Sequence, residues 1–218
     1  MKTFKNISLY LFLIVPLLLV SFTTGDNKSQ YNIPLSAYSV TAGDLDKDGD
    51  IDIVVGHNYN PQTQWSGISL LINNGDGTFF LNDSVFLYSW QTHTYAVNTD
   101  TDSLPEIIVT NTENETQYTA ILNIEQGSYT TNLYYMNYGI SGNNIGDING
   151  DSFIDIVLYS NDNQFWGVMF NDGTGNFSAP QYHNIEDYFP SDIACADLND
   201  DGRDVTAIFA SKMSIFQL

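Results

Sequence analysis

Basic residues are nearly missing from this chain. Against 26 Asp and Glu it carries six Lys and Arg (Lys2, Lys5, Lys28, Lys47, Arg203 and Lys212), a formal net charge of -20 over 218 residues. Nucleic acid and anionic membrane surfaces both require a basic footprint, so neither is expected as a partner. Cysteine is reduced to Cys195, which excludes an intrachain disulfide framework and a Cys-rich zinc site. The three histidines, His57, His93 and His183, lie too far apart for an H-E-x-x-H motif. There is no G-x-S-x-G elbow either. After residue 26 no stretch sustains a 3.6-residue apolar period, so helices should be nearly absent. What is present is 43% apolar and 14% aromatic, enough for a sizeable core. The length suits one domain or two small ones.

The N-terminus has a different character. Lys2 and Lys5 precede a nearly all-apolar run at residues 7–20, followed by a small, mostly polar stretch at 21–25. This is the layout of a secretory signal peptide, with cleavage expected near Gly25–Asp26. An uncleaved anchor is the alternative, but the run is short of the ~20 residues that span a bilayer. Residues 26–218 are then expected to form a single secreted domain with no transmembrane segment. Four N-x-[ST] sequons, at Asn27, Asn82, Asn114 and Asn176, suit an extracellular glycoprotein. Chance in an Asn-, Ser- and Thr-rich sequence is the plainer reading of them.

The remaining sequence repeats. One segment recurs at Asp44, Asn98, Asp147 and Asp197, with spacings of 54, 49 and 50 residues. Each copy has an apolar lead-in, a nine-residue acidic loop and a β-branched run such as Ile53-Val54-Val55. In the first and third copies an alternating run ending in Asn73 or Asn171 leads to a Gly-rich turn and a last extended stretch. Short runs rich in Val, Ile, Tyr and Phe, bounded by Gly, Asn and Asp, read as strands joined by tight turns. Four strands in about 50 residues is the size of one propeller blade. The expected fold is therefore an all-β propeller. The fourth copy supplies only three strands, the last at 213–218. Residues 30–34 sit where the last strand of a preceding repeat belongs. Pairing these two segments would close a four-bladed ring and remove an open edge; a partial fragment of a larger propeller is the alternative.

Fifteen of the 26 acidic residues fall in the four loop windows. So many carboxylates at close range repel unless a cation sits among them. In the first loop Asp44, Asp46, Asp48 and Asp52 occupy positions 1, 3, 5 and 9. Gly49 at position 6 allows the sharp turn that wraps these oxygens around one point. The carbonyl of Asp50 would add another ligand. Hard oxygen ligands in this number favour Ca²⁺ over Mg²⁺. An EF-hand is rejected: its position 12 needs Glu, and Val55 stands there. The third loop offers Asp147, Asn149, Asp151 and Asp155. The fourth offers Asp197, Asn199 and Asp201, with its last acid, Asp204, one residue early. The second offers Asn98, Asp100, Asp102 and Glu106. A merely solvated acidic turn is the alternative for each.

The Asp-rich loop, the Ile-Val-Val strand and the Asn-Gly-Asp-Gly-Thr-Phe turn resemble FG-GAP/VCBS repeats over about residues 36–218. That resemblance implies β-propeller blades, as in integrin α-subunit heads, with Ca²⁺ held between a blade's first two strands at Asp44, Asp46, Asp48, Asp52 and their counterparts. It does not imply integrin function. Cys195 aligns with Ala42 and Ile145 and reads as a buried small residue. Trp65, Trp90, Trp166 and the tyrosines suit inter-blade packing, or else a sugar-binding face. The function expected is a secreted, non-catalytic, Ca²⁺-dependent recognition or adhesion module for an extracellular protein or carbohydrate. A propeller-type polysaccharide lyase or hydrolase, and a degenerate repeat protein with no dedicated ligand, are the alternatives.

Overall fold

A computed structural model describes residues 18–24, 27–33, 36–60, 66–87, 92–111, 118–125 and 128–212. No helix occurs among them, so none is long and apolar enough to cross a membrane. In chain order the strands are Leu18–Thr24 (β1), Asn27–Ile33 (β2), Ala37–Gly43 (β3), Asp52–His57 (β4), Ser66–Asn73 (β5), Phe79–Leu87 (β6), Thr92–Val97 (β7) and Glu106–Asn111 (β8). Then come Tyr118–Glu125 (β9), Ser128–Tyr135 (β10), Gly142–Gly146 (β11), Asp155–Ser160 (β12), Phe165–Met169 (β13), Gln181–Asn184 (β14), Tyr188–Ala196 (β15) and Val205–Lys212 (β16).

The first three repeats each fold as one antiparallel, four-stranded, blade-like sheet in sequence order: β3–β6, β7–β10 and β11–β14. Two hairpins, β1–β2 and β15–β16, complete the described strands. The core lies between sheets rather than within one. On β8, Ile107 and Val109 pack with Val54, Ile68 and Leu70 of the first sheet, while the intervening Ile108 packs with Ile156 and Leu158 of the third. Side chains alternate across a strand, so burying both faces demands the unbroken β-branched runs seen after each loop. Val157 and Val168 of the third sheet continue the stack onto Ile193 of β15.

Both ends of the stack leave some apolar side chains exposed. Val40, four residues before Asp44, is 59% exposed, whereas Thr94, Asn143 and Ile193 in the same place of later repeats are 5%, 6% and 3% exposed. At the other end Leu198 and Phe209 are each 73% exposed and Val205 is also exposed. Leu198 is the counterpart of Leu45 and Thr99, both buried.

Strand β2 lies against the first sheet much as β10 lies against the third. Tyr134 accepts a hydrogen bond from the Phe177 amide at 3.0 Å and meets its ring edge-on at 5.9 Å. Tyr31 accepts from the Phe79 amide at 2.9 Å and meets its ring edge-on at 5.8 Å. Ile33 completes this contact by packing on Ile53, Val55 and Leu71. The hydrogen-bonded neighbour of β2 is β1, in the register Leu18↔Ile33 to Thr24↔Asn27. The stretch read as the end of a signal peptide is thus a paired strand here. The other expected neighbour, 213–218, lies outside the described residues. Among the described strands no ring closes.

Candidate metal centres

Each acidic loop joins the first two strands of its repeat, and one cross-strand pair pins its ends: Gly43↔Asp52, Val97↔Glu106, Gly146↔Asp155 and Ala196↔Val205. Loops one, three and four share a backbone path. Positions 4 and 6 are both left-handed: Lys47 and Gly49, Gly150 and Ser152, Asp200 and Gly202. The amide at position 6 then points inward and donates to the position-1 carboxylate, from Gly49 to Asp44 at 3.0 Å, Ser152 to Asp147 at 2.7 Å and Gly202 to Asp197 at 2.9 Å. Glycine fits such a conformation; Ser152, with φ of 72°, holds it against its steric preference.

Loop one gathers an oxygen cluster. One carboxylate oxygen from each of Asp44, Asp46 and Asp48 lies within 4.8 Å of the other two. Ca²⁺–oxygen bonds of about 2.3–2.6 Å place ligands of one ion at about this separation. Asp44 Oδ2 takes the Gly49 amide, while Oδ1 is buried with no hydrogen-bond partner. A buried, unanswered carboxylate oxygen in an all-acid cluster fits a cation. Partial desolvation first, then the Asp48 and Asp44 carboxylates, push Asp46 above the usual carboxylate range. The Asp50 amide donates to Asp48 Oδ1 at 2.9 Å, and the Asp50 carboxylate abuts Gly75, where a Cβ would come within 2.8 Å of Oδ2.

The position-9 acid plays a different part. Asp52 is fully buried and spans two backbone amides, Leu45 at 2.7 Å and Asn73 at 2.8 Å. Asp155 does the same with Ile148 at 3.0 Å and Asn171 at 2.9 Å. Glu106 takes both the amide and the hydroxyl of Thr99 through Oε2, at 2.6 and 2.7 Å. Each is a clamp that ties its loop down; in the first and third sheets it also reaches the end of the third strand. Burial drives all three above the ordinary carboxylate range, against the lowering effect of these hydrogen bonds.

Loop two has neither left-handed position. Its Asn98 amide nitrogen closes onto the Asp102 carbonyl instead. Asp100, Asp102 and Glu106 still bring three oxygens within 4.8 Å of one another. In loops three and four an Asn replaces the position-3 acid and donates to the position-5 carboxylate, Asn149 to Asp151 at 2.8 Å and Asn199 to Asp201 at 2.9 Å.

Asp204 is turned away from its own loop. The pair Ala196↔Val205 gives position 9 to Val205, so Asp204 stands at position 8. There it binds the preceding loop: its amide donates to the Asp147 carbonyl at 2.7 Å, and its Oδ2 accepts the Asp147 amide at 2.8 Å. Pro105, at position 8 of loop two, only packs on the preceding repeat: its Cγ lies 3.5 Å from where a Cβ on Gly43 would sit.

Sequence reasoning passed over Asn171 and Thr99. The Asn171 Nδ2 donates to the Thr99 carbonyl at 2.7 Å and the Ile154 carbonyl at 3.2 Å. A buried chain of hydrogen bonds therefore runs from Glu106 through Thr99 and Asn171 to Asp155, joining loops two and three. The only sequence trace was the Asn that ends each alternating run before its turn. Cys195 is half-buried in the last inter-sheet layer, and burial pushes its thiol up to about 11. Trp166 stacks on His183 at 4.4 Å; Trp65 and Trp90 lie outside the described residues. Compared with known proteins, the chain matches no family model and no curated protein.

Proposed function

We propose that this protein is a secreted, four-bladed, calcium-binding propeller of the FG-GAP/VCBS kind, acting as a non-catalytic recognition module for an extracellular protein or glycan. The observation that carries the calcium reading is loop one: three carboxylates converge, and Asp44 Oδ1 is buried without a partner. Asp44, Asp46 and Asp48 would hold the ion directly, with the Asp50 carbonyl as a further ligand. The clamp acids Asp52, Glu106 and Asp155 would tie the loops in place, and their second lone pairs remain open to an ion. Asp147, Asn149 and Asp151 would serve loop three, Asp197, Asn199 and Asp201 loop four, and Asn98, Asp100 and Asp102 loop two. Calcium at these points neutralises charge that the loops otherwise keep apart by repulsion.

Ring closure is supported by the exposed apolar side chains at the two ends, Val40 at one and Leu198, Val205 and Phe209 at the other. In every other repeat the place of Val40 is filled by contact with the repeat before, and the place of Leu198 by contact with the repeat after. The two exposed ends are the two halves of one such interface. Removing residues 1–25 would also take away β1 and free an edge of β2 for 213–218. The loops and the axis between inner strands then form the recognition surface. A glycan array probed with the secreted chain, with calcium and with chelator, tests the reading. Calcium-dependent capture of a glycan supports it; a chain that binds no calcium by calorimetry removes its basis.

A further inference from the structure

Two buried hydrogen bonds fix Asn171 between two acidic loops. Asn171 stands two residues beyond β13 and is 3% exposed. Toward its own repeat, its backbone amide donates to Asp155 Oδ1 at 2.9 Å, and Asp155 Oδ2 takes the amide of Ile148, which lies between Asp147 and Asn149 of loop three, at 3.0 Å. Toward the second repeat, its Nδ2 donates to the Thr99 carbonyl at 2.7 Å. Thr99 is 1% exposed, lies between Asn98 and Asp100 of loop two, and holds Glu106 by its amide and hydroxyl. The turn that follows Asn171 touches the same loop: a Cβ on Gly175 would lie 3.5 Å from Thr99 Oγ1 and 3.8 Å from Asp100 Oδ2.

Loop one is held differently. Asn73 occupies the place of Asn171 in the first repeat, but its Nδ2 turns to the Ile51 carbonyl of its own sheet at 3.1 Å. In the second repeat that place falls to Ile124, because Ile107 pairs with Leu122 as Ile156 pairs with Met169. Isoleucine has no side-chain donor to send toward loop one. The hydrogen bonds that cross from the second repeat to the first, Thr94 with Ser39 at 3.1 Å and the Ala96 amide to Thr41 at 3.2 Å, meet β3 ahead of the loop.

Every link from Asp155 through Asn171 and Thr99 to Glu106 is a buried donor on a buried acceptor. Breaking one leaves a group with no water to replace its partner, so the links are made together or lost together. What they hold is the backbone that carries the candidate ligands of two loops. A cation seated among Asp147, Asn149 and Asp151 fixes the Ile148 amide, and with it Asp155, Asn171 and the Thr99 carbonyl. Loop two is then already ordered when its own cation arrives, so less conformational freedom remains to be lost there. Binding linkage makes the effect reciprocal: loop two favours loop three by the same factor.

We infer that Asn171 is a positioning residue that couples cation binding at loops two and three, so that calcium in either loop raises the affinity of the other. The inference rests on the calcium reading above. The test is a calcium titration of the full chain, labelled with ¹⁵N and followed by NMR in ~0.15 M salt, which screens exposed charges beyond about 8 Å. The Asp102, Ser152 and Gly49 amides, each hydrogen-bonded to a loop carboxylate, report loops two, three and one. Asp151→Ala disables loop three without stranding a buried donor, since the Asn149 Nδ2 and the Phe153 amide that it accepts from lie at the surface. It should raise the Kd of loop two about fivefold or more and leave that of loop one unchanged. In Asn171→Leu the Kd of loop two should be the same with and without Asp151→Ala. A merely structural Asn171 would leave the dependence of loop two on loop three in place, and so would charge acting through space. A loop-two Kd unmoved by Asp151→Ala overturns the inference, whether or not Asn171→Leu folds. A dependence that survives Asn171→Leu overturns Asn171 as its route. Both of these results leave the calcium reading standing, whereas a chain whose loop amides respond to no calcium removes the two together.

Discussion

Within one loop the acids divide into two jobs. Asp44, Asp46 and Asp48 face one another, whereas Asp52 holds two backbone amides. Asp44→Ala should abolish most calcium binding at loop one, and should cost more affinity than Asp100→Ala in loop two. Only loop one pairs an all-acid cluster with the turn that aims the Gly49 amide at position 1. Calorimetry decides: equal losses at the two positions would contradict the difference in geometry. Asp52→Leu should behave differently. It strands the amides of Leu45 and Asn73, at about 1–3 kcal/mol for each buried donor left unpaired. Urea unfolding in chelator should show that loss, while Asp48→Ala, which clamps nothing buried, should show little.

Between elements, the informative contact is the one from β13's end to loop two. Asn171 binds Thr99 across repeats, so Asn171→Ala should destabilise by about 1–3 kcal/mol. It should also speed hydrogen exchange at the Thr99 amide. Asn73→Ala, whose side chain donates to Ile51 of its own sheet, should leave Thr99 protected. Unchanged exchange at Thr99 in Asn171→Ala would show that the relay does not hold loop two. Inter-sheet layers should be equally sensitive: Ile108→Ala opens the layer against Ile156 and should cost about 2–5 kcal/mol.

The whole molecule should respond to calcium and acid in opposite senses. At ~1 mM Ca²⁺ and a Kd of ~0.1 mM, typical of extracellular modules, one site stabilises by roughly 1.4 kcal/mol. Three sites give roughly 4 kcal/mol, or about 8–16 °C in melting temperature. A melt insensitive to chelator would remove the calcium reading. In chelator, Asp46, Asp52, Glu106 and Asp155 have folded pKa values above their unfolded ones, so the folded chain binds the extra protons. Their charged forms cost stability above the folded pKa. That cost fades as pH falls from 7 through those raised values toward the unfolded range near ~4. The chelated protein should therefore melt higher at pH 5 than at pH 7. With calcium bound the ion favours the charged forms, and the trend should reverse. Differential scanning calorimetry at the two pH values checks both signs. For closure, Val40→Cys with Ala207→Cys in a Cys195→Ala chain should oxidise to an intramolecular disulfide, since Ala207 is the counterpart of Val157 beneath Ile193. A reduced monomer, or only crosslinked dimers, would rule the closed ring out.

The sequence by itself determined the repeat, its strands and its acidic loops, because those depend on local order. Alternating and β-branched runs dictate strands, position 6 of three loops accepts a left-handed turn, and clustered carboxylates stand close simply by adjacency. It could not assign a partner to each carboxylate, because the partners come from other strands. The Asp52 clamp reaches Asn73, Asn171 reaches Thr99 at a separation of 72 residues, and Asp204 turns to Asp147 because the pairing of Ala196 with Val205 shifts it one place along. The unpartnered Asn143 side chain, and the exposed apolar side chains of Val40 and Phe209, likewise follow from how one repeat is stacked on the next. Register and stacking are tertiary facts: a one-residue shift sends a side chain to the opposite face, and only packing chooses which face is buried.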